Sequence, residues 1–236
     1  KRQLFTQSKI HEMRTAIVAT VYKRADLWAK TLESFEQYYD RDVIYISDPD
    51  SDPKDYFNSG VAYNRAFIEA LKFDPDIIII QNGECYHAGD IVSYAEKNLT
   101  DKNYISFGCY SLGENCPLPP LILWNEGASY DGQSAWYNHP KYRAVGYHFC
   151  SAITADNLRK INGFDERFKD GKDYEDNYLL HQVRKLGLQI EITSEPFVYH
   201  QWHYSTPRKG GSNKELYESL IQTEGYRAVH LINPDL

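Results

Sequence analysis

Four consecutive β-branched residues, Ile77, Ile78, Ile79 and Ile80, stop abruptly at the polar tip Gln81-Asn82-Gly83-Glu84. Such a run suits a strand buried on both faces, as in a parallel sheet covered by helices. Gly83 permits a tight turn at its end. Ligands in open α/β sheets sit beyond the carboxyl ends of the strands, so this tip is a candidate site, with an ordinary strand exit as the alternative. Residues 15–20, 42–47 and 103–109 predict further strands. Residues 25–39 carry Trp28, Leu32 and Phe35 at helical spacing and predict a helix with one apolar face. Residues 58–73, with Val61, Ala62, Ile68 and Leu71 apolar, predict a second helix, and 88–98 a third. The alternation predicts an α/β fold in one domain over 1–236, with a mostly parallel mixed sheet and helices on both faces.

Residues 110–142 break the rhythm with Pro117, Pro119, Pro120, Gly127, Gly132 and Pro140, and with Trp124 and Trp136 among them. A long irregular stretch in a compact domain is commonly functional, and aromatics that simply pin it to the core are the equal alternative. Order returns at 146–151. Thr154 can cap a short helix over 155–161 that Gly163 closes, and 174–186 predicts another, ended by Gly187. Residues 190–193 and 196–202 predict two strands. A basic loop over 206–211 precedes the capping box Ser212-Asn213-Lys214-Glu215, which opens a last helix to about residue 224.

Composition narrows the function. With 42% hydrophobic and 25% charged residues, the chain can bury a core rather than stay disordered. A net charge of −7 argues against general nucleic-acid binding, which needs a basic footprint. Cys85, Cys109, Cys116 and Cys150 match no zinc spacing and no disulfide framework, so buried thiols in a reducing compartment are expected. No apolar run reaches transmembrane length, and Lys1-Arg2-Gln3-Leu4 lacks a signal-peptide core. The expectation is a cytoplasmic location, with the chain either a trimmed piece or one domain of a longer protein. The 20 tyrosines suit a sugar-binding surface.

Three constellations could carry chemistry. Glu84 ends one strand, and His200-Gln201-Trp202-His203 ends another. Two imidazoles and a carboxylate can hold a divalent cation, but residues three apart on a strand face opposite sides. Both can ligate only if the strand ends there. Next, Gly163-Phe164-Asp165-Glu166 is followed by Glu175-Asp176-Asn177. Carboxylates at a helix start are favoured by the helix dipole; alternatively one aligns an acceptor hydroxyl and the other takes its proton. Finally, Thr20, Tyr22 and Asp48 follow the first two strands and could hydrogen-bond a nucleotide base, or serve only in turns.

In this order the residues resemble the GT-A-fold nucleotide-sugar glycosyltransferases, family 2 and its relatives. Thr20-Val21-Tyr22-Lys23-Arg24 looks like that family's Pro-x-Tyr-Asn-Arg opening, with Thr20 for proline. Asp48-Pro49-Asp50-Ser51-Asp52 resembles its base-reading acidic loop. Phe57-Asn58 and Asn64 are similar to a β-1,4-galactosyltransferase motif; there an Arg follows the first Asn, and here Ser59 stands, leaving Arg65 as the substitute. Asn82-Gly83-Glu84 occupies the Asp-x-Asp position with one carboxylate remaining. Glu175-Asp176-Asn177 resembles the acidic acceptor motif, and His200 and His203 match the late metal-ligand pair in spacing.

The resemblance implies a Rossmann-like GT-A sheet, with nucleotide binding over about 15–110 and acceptor and catalytic residues over about 111–205, then a closing loop and helix at 206–236. It implies a UDP-sugar donor, a glycan or other hydroxyl acceptor, and a divalent cation, manganese or magnesium, on Glu84, His200 and His203. Asp176 is then the base, aided by Glu175, and Thr20, Tyr22, Arg24, Asp48, Asn58, Asn64 and Arg65 hold the nucleotide. Arg208 and Lys209 would close over the diphosphate. Two rivals are an inactive nucleotide-sugar or glycan-binding module, given the single carboxylate, and a nucleotidyltransferase, which would need a Gly-rich phosphate loop that 19–24 lacks.

Overall fold

The computed structural model describes residues 13–39, 43–48, 58–123, 134–168, 173–204 and 213–236. The elements run β1 (Thr15–Thr20), α1 (Ala25–Tyr38), β2 (Ile44–Asp48), α2 (Ser59–Leu71), β3 (Ile77–Asn82), β4 (Cys85–Ala88) and α3 (Ile91–Asn98). Then come β5 (Asn103–Ser111), β6 (Ala135–Asn138), β7 (Cys150–Thr154), α4 (Ala155–Ile161), α5 (Glu175–Lys185), β8 (Gln189–His200) and α6 (Asn213–Leu220). They build an eight-stranded sheet in the order β2-β1-β3-β7-β5-β8-β4, with β6 on β5. Five of these strands, β1, β2, β3, β5 and β8, point the same way, and β4, β6 and β7 run against them.

The isoleucine run of β3 explains the layering. Successive strand side chains point to opposite faces. Ile78 and Ile80 enter a core with Tyr63, Phe67, Leu158 and Val183, under α2, α4 and α5. Ile77 and Ile79 enter another with Phe35, Ile91 and Val92, under α1 and α3. Burying each such side chain contributes about 1.5–3 kcal/mol, so a continuous apolar strand is stable only with helices on both faces. Among the described residues, no helix is long and apolar enough to cross a membrane. All four thiols are free; Cys85, Cys109 and Cys150 are buried, and Cys116 is half-buried.

Three elements differ from the sequence expectation. Residues 85–88 form β4 rather than a loop into the third helix, which starts only at Ile91, where the Asp90 side chain accepts from Ser93 N at 2.8 Å. The two late strands are one, β8, whose pairing with β5 jumps from Thr193 to Phe197. Pro196 sits in that irregularity, where its missing N–H costs the ladder nothing. The 110–142 stretch contains β6, and its Trp136 is buried against Tyr110 and Phe197. Trp124, the loop over 206–211 and the acidic turn over 49–53 lie outside the described residues.

Candidate active site

Three strand ends meet in register. Thr20 pairs with Asp48 on one side and with Asn82 on the other, so the sequence-predicted tips share one edge of the sheet. Only the backbone of Asp48 is described there. Gly83 turns the chain immediately afterwards: a Cβ at that position would lie 2.7 Å from the Thr20 carbonyl oxygen, so a larger residue cannot make the turn. Thr31 Oγ1 donates to Gly83 O at 2.9 Å, and Gln201 N donates to Glu84 O at 3.1 Å. The Gln201 amide also donates to Thr31 Oγ1 at 3.1 Å and to Leu27 O at 3.0 Å. These bonds tie the β3–β4 turn to α1 and to the end of β8.

That tie sets the first cluster. β8 ends at His200, so the chain beyond it is free to bring His203 to the same side. His200 Nε2 lies 3.2 Å and His203 Nε2 3.4 Å from Glu84 Oε1, and Arg24 Nη1 donates to the same oxygen. Glu84 is 1% exposed. Burial opposes its ionisation, but His200, His203 and Arg24 outweigh that and hold the carboxyl well below the usual range. Its Oε2 is buried without a hydrogen-bond partner. One carboxylate and two imidazoles, with ligand atoms within 4.8 Å of one another, fit a divalent cation with room for further oxygen ligands.

The second cluster faces a cleft of about 150 Å³ lined by Thr20, Arg24, Tyr63, Asn82, Glu175 and Asp176. Glu175 and Asp176 form the first turn of α5, where the helix dipole favours negative charge. Burial, and then the neighbouring Asp176, push the Glu175 carboxyl up to about 7. Asp176 Oδ1 instead lies 2.8 Å from His148 Nδ1. The His148 ring stands edge-on to Tyr63 and Phe164, with centroids 5.2 and 4.8 Å away, which fixes its plane. Tyr63 donates to Gln81 O at 2.8 Å and Asn82 Oδ1 at 3.0 Å, orienting the Asn82 amide. His148 and Tyr63 are absent from the sequence-based site. Neither carries a local pattern, and both are marked only by their contacts.

The nucleotide candidates divide. Thr20 and Arg24 line the cleft. Tyr22 is half-buried in the turn after β1, with the Lys23 ammonium 4.9 Å from its ring centroid. Asn58 is the N-cap of α2, its side chain accepting from Val61 N at 3.1 Å. Arg65 is half-buried on the same helix and is not among the cleft-lining residues. Asn64 is fully buried. It donates to Phe164 O at 2.8 Å and Glu166 Oε1 at 3.1 Å and accepts from Phe164 N at 2.9 Å. No atom of it is exposed to reach a nucleotide; it pins α2 to the segment that precedes α5. Asp165 and Glu166 are likewise buried, the first paired with Arg167 and Val229 N, the second with Asn64 and the C-terminal segment.

The structure is similar to several solved ones. The catalytic domain of Drosophila β1,4-galactosyltransferase 7 in complex with xylobiose matches over 92% of this chain and 82% of its own, at TM-score 0.62 and 14% identity. S. aureus TarS in complex with UDP matches over 90% and 65%, at TM-score 0.59 and 11% identity. A mannosyltransferase from Pyrobaculum calidifontis in complex with GDP-Man and Mn2+ matches over 90% and 63%, at TM-score 0.52 and 10% identity. The chain has a GT-A fold. No protein-family model matches the sequence, and no curated protein matches it in sequence. At these identities the likeness carries the GT-A architecture, and the chemistry rests on the side chains described above.

Proposed function

We propose that this GT-A domain is an inverting, metal-dependent glycosyltransferase that moves a sugar, a hexose in the first instance, from a UDP-sugar to a hydroxyl of a glycan or related acceptor. One observation carries the reading. At the edge where β1, β2 and β3 end, a carboxylate pair lines a cleft, and Arg24, which lines the same cleft, bonds Glu84 of a carboxylate–imidazole set able to hold a cation. Structural neighbours with this architecture are described in complex with UDP, with GDP-Man and Mn2+, and with manganese, UDP-Gal and xylobiose, which supports the donor class.

Glu84, His200 and His203 would hold the divalent ion, which when bound neutralises charge on the departing diphosphate. The rest falls to the chain's own groups. Asp176 accepts the proton of the acceptor hydroxyl as its oxygen attacks the anomeric carbon. The bond from that carbon to the diphosphate oxygen breaks in line, and the nucleoside diphosphate leaves with the electron pair. Glu175, whose carboxyl is pushed up to about 7 by burial and the neighbouring Asp176, can keep its proton near neutral pH and donate to a sugar oxygen. Thr20 and Arg24 lie where the nucleotide and its phosphates would cross the strand ends.

A thermal-shift screen of nucleotide sugars with manganese ranks donors, because a ligand raises apparent stability according to its affinity. Donor hydrolysis and transfer are then measured with and without manganese. Donor binding with no turnover in any acceptor mixture would identify a binding module instead, and turnover that is indifferent to manganese would remove the cation from the reading.

A further inference from the structure

One oxygen, Glu84 Oε1, collects three basic side chains. His200 and His203 approach it at 3.2 and 3.4 Å, and Arg24 hydrogen-bonds to it directly. The carboxylate is 1% exposed, whereas the Arg24 side chain is 34% exposed and lines the adjoining cleft. A buried carboxylate without a positive partner is costly, and Arg24 supplies that charge here. The oxygen that Arg24 holds is the one both imidazoles face, which makes it the oxygen a divalent ion would take. Two cations sharing one largely buried carboxylate oxygen repel strongly, because little water is there to screen them.

Arg24 also has somewhere to go. It occupies the N-cap position of α1, in the turn between β1 and the helix, with its side chain at the boundary between Glu84 and the cleft. The cleft that it lines also holds uncharged Thr20 and Asn82 and, from α5, the carboxyl groups of Glu175 and Asp176. A guanidinium there meets phosphate oxygens in a planar, two-pronged geometry that an ammonium cannot reproduce.

We propose that Arg24 is the resident counter-ion of the Glu84 site, and that it exchanges Glu84 for the donor's diphosphate when a divalent ion binds, so that cation and nucleotide bind as a linked pair. This rests on the glycosyltransferase reading of the site. In the free protein Arg24 competes with the cation and weakens its binding. In the ternary complex it contributes to the diphosphate instead. Linkage is reciprocal, so nucleotide must tighten cation binding by the same factor that cation tightens nucleotide binding.

The test measures binding, with no need for turnover. Mn2+ affinity is determined by electron paramagnetic resonance of the free ion, with and without UDP, for wild type, Arg24→Gln, Arg24→Met, Arg24→Lys and Glu84→Gln. Circular dichroism and thermal midpoint confirm that each variant is folded. Both neutral variants should bind Mn2+ alone about tenfold or more tighter than wild type, while binding UDP more weakly once Mn2+ is present. The opposite signs exclude a general loosening of the site. Arg24→Lys keeps the charge and should hold Mn2+ affinity near that of wild type. Neutral variants that bind Mn2+ alone no more tightly than wild type overturn the exchange, as does a lysine variant that tightens Mn2+ as much as glutamine. If Glu84→Gln binds Mn2+ as wild type does, the cation site itself is wrong and the glycosyltransferase reading of Glu84 falls with it. Loss of binding in Glu84→Gln keeps that reading intact whatever Arg24 does.

Discussion

Replacing Glu166 by Gln should cost more stability than its place in an acceptor-type motif suggests. The side chain is fully buried. Its Oε2 accepts from Leu231 N and Ile232 N, both at 2.7 Å, and from Asn233 N at 3.4 Å. Its Oε1 accepts from Asn64 Nδ2 at 3.1 Å and Asn233 Nδ2 at 2.6 Å. A glutamine keeps the shape but has one acceptor oxygen and one NH2 donor. Whichever way it sits, the NH2 faces either the backbone N–H groups of 231–233 or the two asparagine amides. Hydrogen bonds to a charged group are worth about 1.5–3 kcal/mol each, and partial relaxation recovers some of the loss. The expected cost is about 3–5 kcal/mol, as for breaking a buried charged network. For a domain of this size that lowers the thermal midpoint by roughly 6–20 °C. Burial opposes ionisation of Glu166, but Asn64, Ile232, Asn233 and Leu231 outweigh it and hold the carboxyl below its usual range. A depressed folded-state value makes this contribution complete above the unfolded value of about 4.3, and lost as pH falls through the folded one. Wild type and Glu166→Gln should therefore differ most at neutral pH and converge under acid in urea titrations. A difference below about 1 kcal/mol at pH 7 would refute the network, because a buried donor left unpaired already costs that much.

The remaining expectations concern the cleft. Asp176→Asn should lower transfer by roughly two to four orders of magnitude, the usual worth of a general base, with UDP affinity nearly unchanged; near-normal turnover removes Asp176 from that role. His148→Gln should slow turnover in the wild-type background but add little to Asp176→Asn, since it acts through that carboxylate; additive losses in the double variant would contradict this. Glu84→Ala should abolish manganese-dependent UDP binding, checked by calorimetry with and without the ion, and undiminished binding counts against the cation site. The Glu175 carboxyl, raised to about 7 by burial and Asp176, works in the opposite sense to Glu166. Its contribution is complete below the unfolded value of about 4.3 and is lost as pH rises towards the folded one. Wild type should lose stability relative to Glu175→Gln between those two values, and a flat difference across that range argues against the shift.

Much of the fold was legible because its signals are local. The first strand, Thr15–Thr20, and the short helix Ala155–Ile161 fall where the apolar pattern and the Thr154 cap place them. The double-sided burial of β3 follows from an apolar run with no polar alternation. β4 was not legible, because Cys85-Tyr86-His87-Ala88 alternates buried and half-buried positions using residues whose polarity hides the alternation. His87 is fully buried there, bonded to Gln81 Oε1 at 2.6 Å, and burial pulls its imidazole down to about 3, so it is a neutral core residue in polar dress. The apolar pattern breaks between Thr193 and Pro196 and so predicts two strands, whereas the chain continues as one strand through an irregularity of the pairing. Asn64 shows the limit of motifs. Its spacing from Asn58 is that of the motif, but spacing does not reveal that the side chain is fully buried.

The cluster of Glu84, His200 and His203 depends on β4, a strand with no local sequence signal. Cys85 pairs with His200 across the β4–β8 ladder, and Ser111 pairs with His200 from the other side. Glu84 therefore arrives beside the imidazole because its neighbour is hydrogen-bonded to it, not because the two segments carry any mutual signal. Register in a sheet is all or nothing: a slip of one residue turns every side chain to the opposite face. A one-residue slip of β4 against β8 would put Cys85 and His87, now both fully buried, on the wrong face. The apolar packing that fixes the register is thus what sets Glu84 against His200, and the turn at Gly83 sets it against the ends of β1 and β3. Order along the chain singles out Glu84, His200 and His203 as the proposed ligands; a long-range pairing between two short stretches brings them within 4.8 Å of one another.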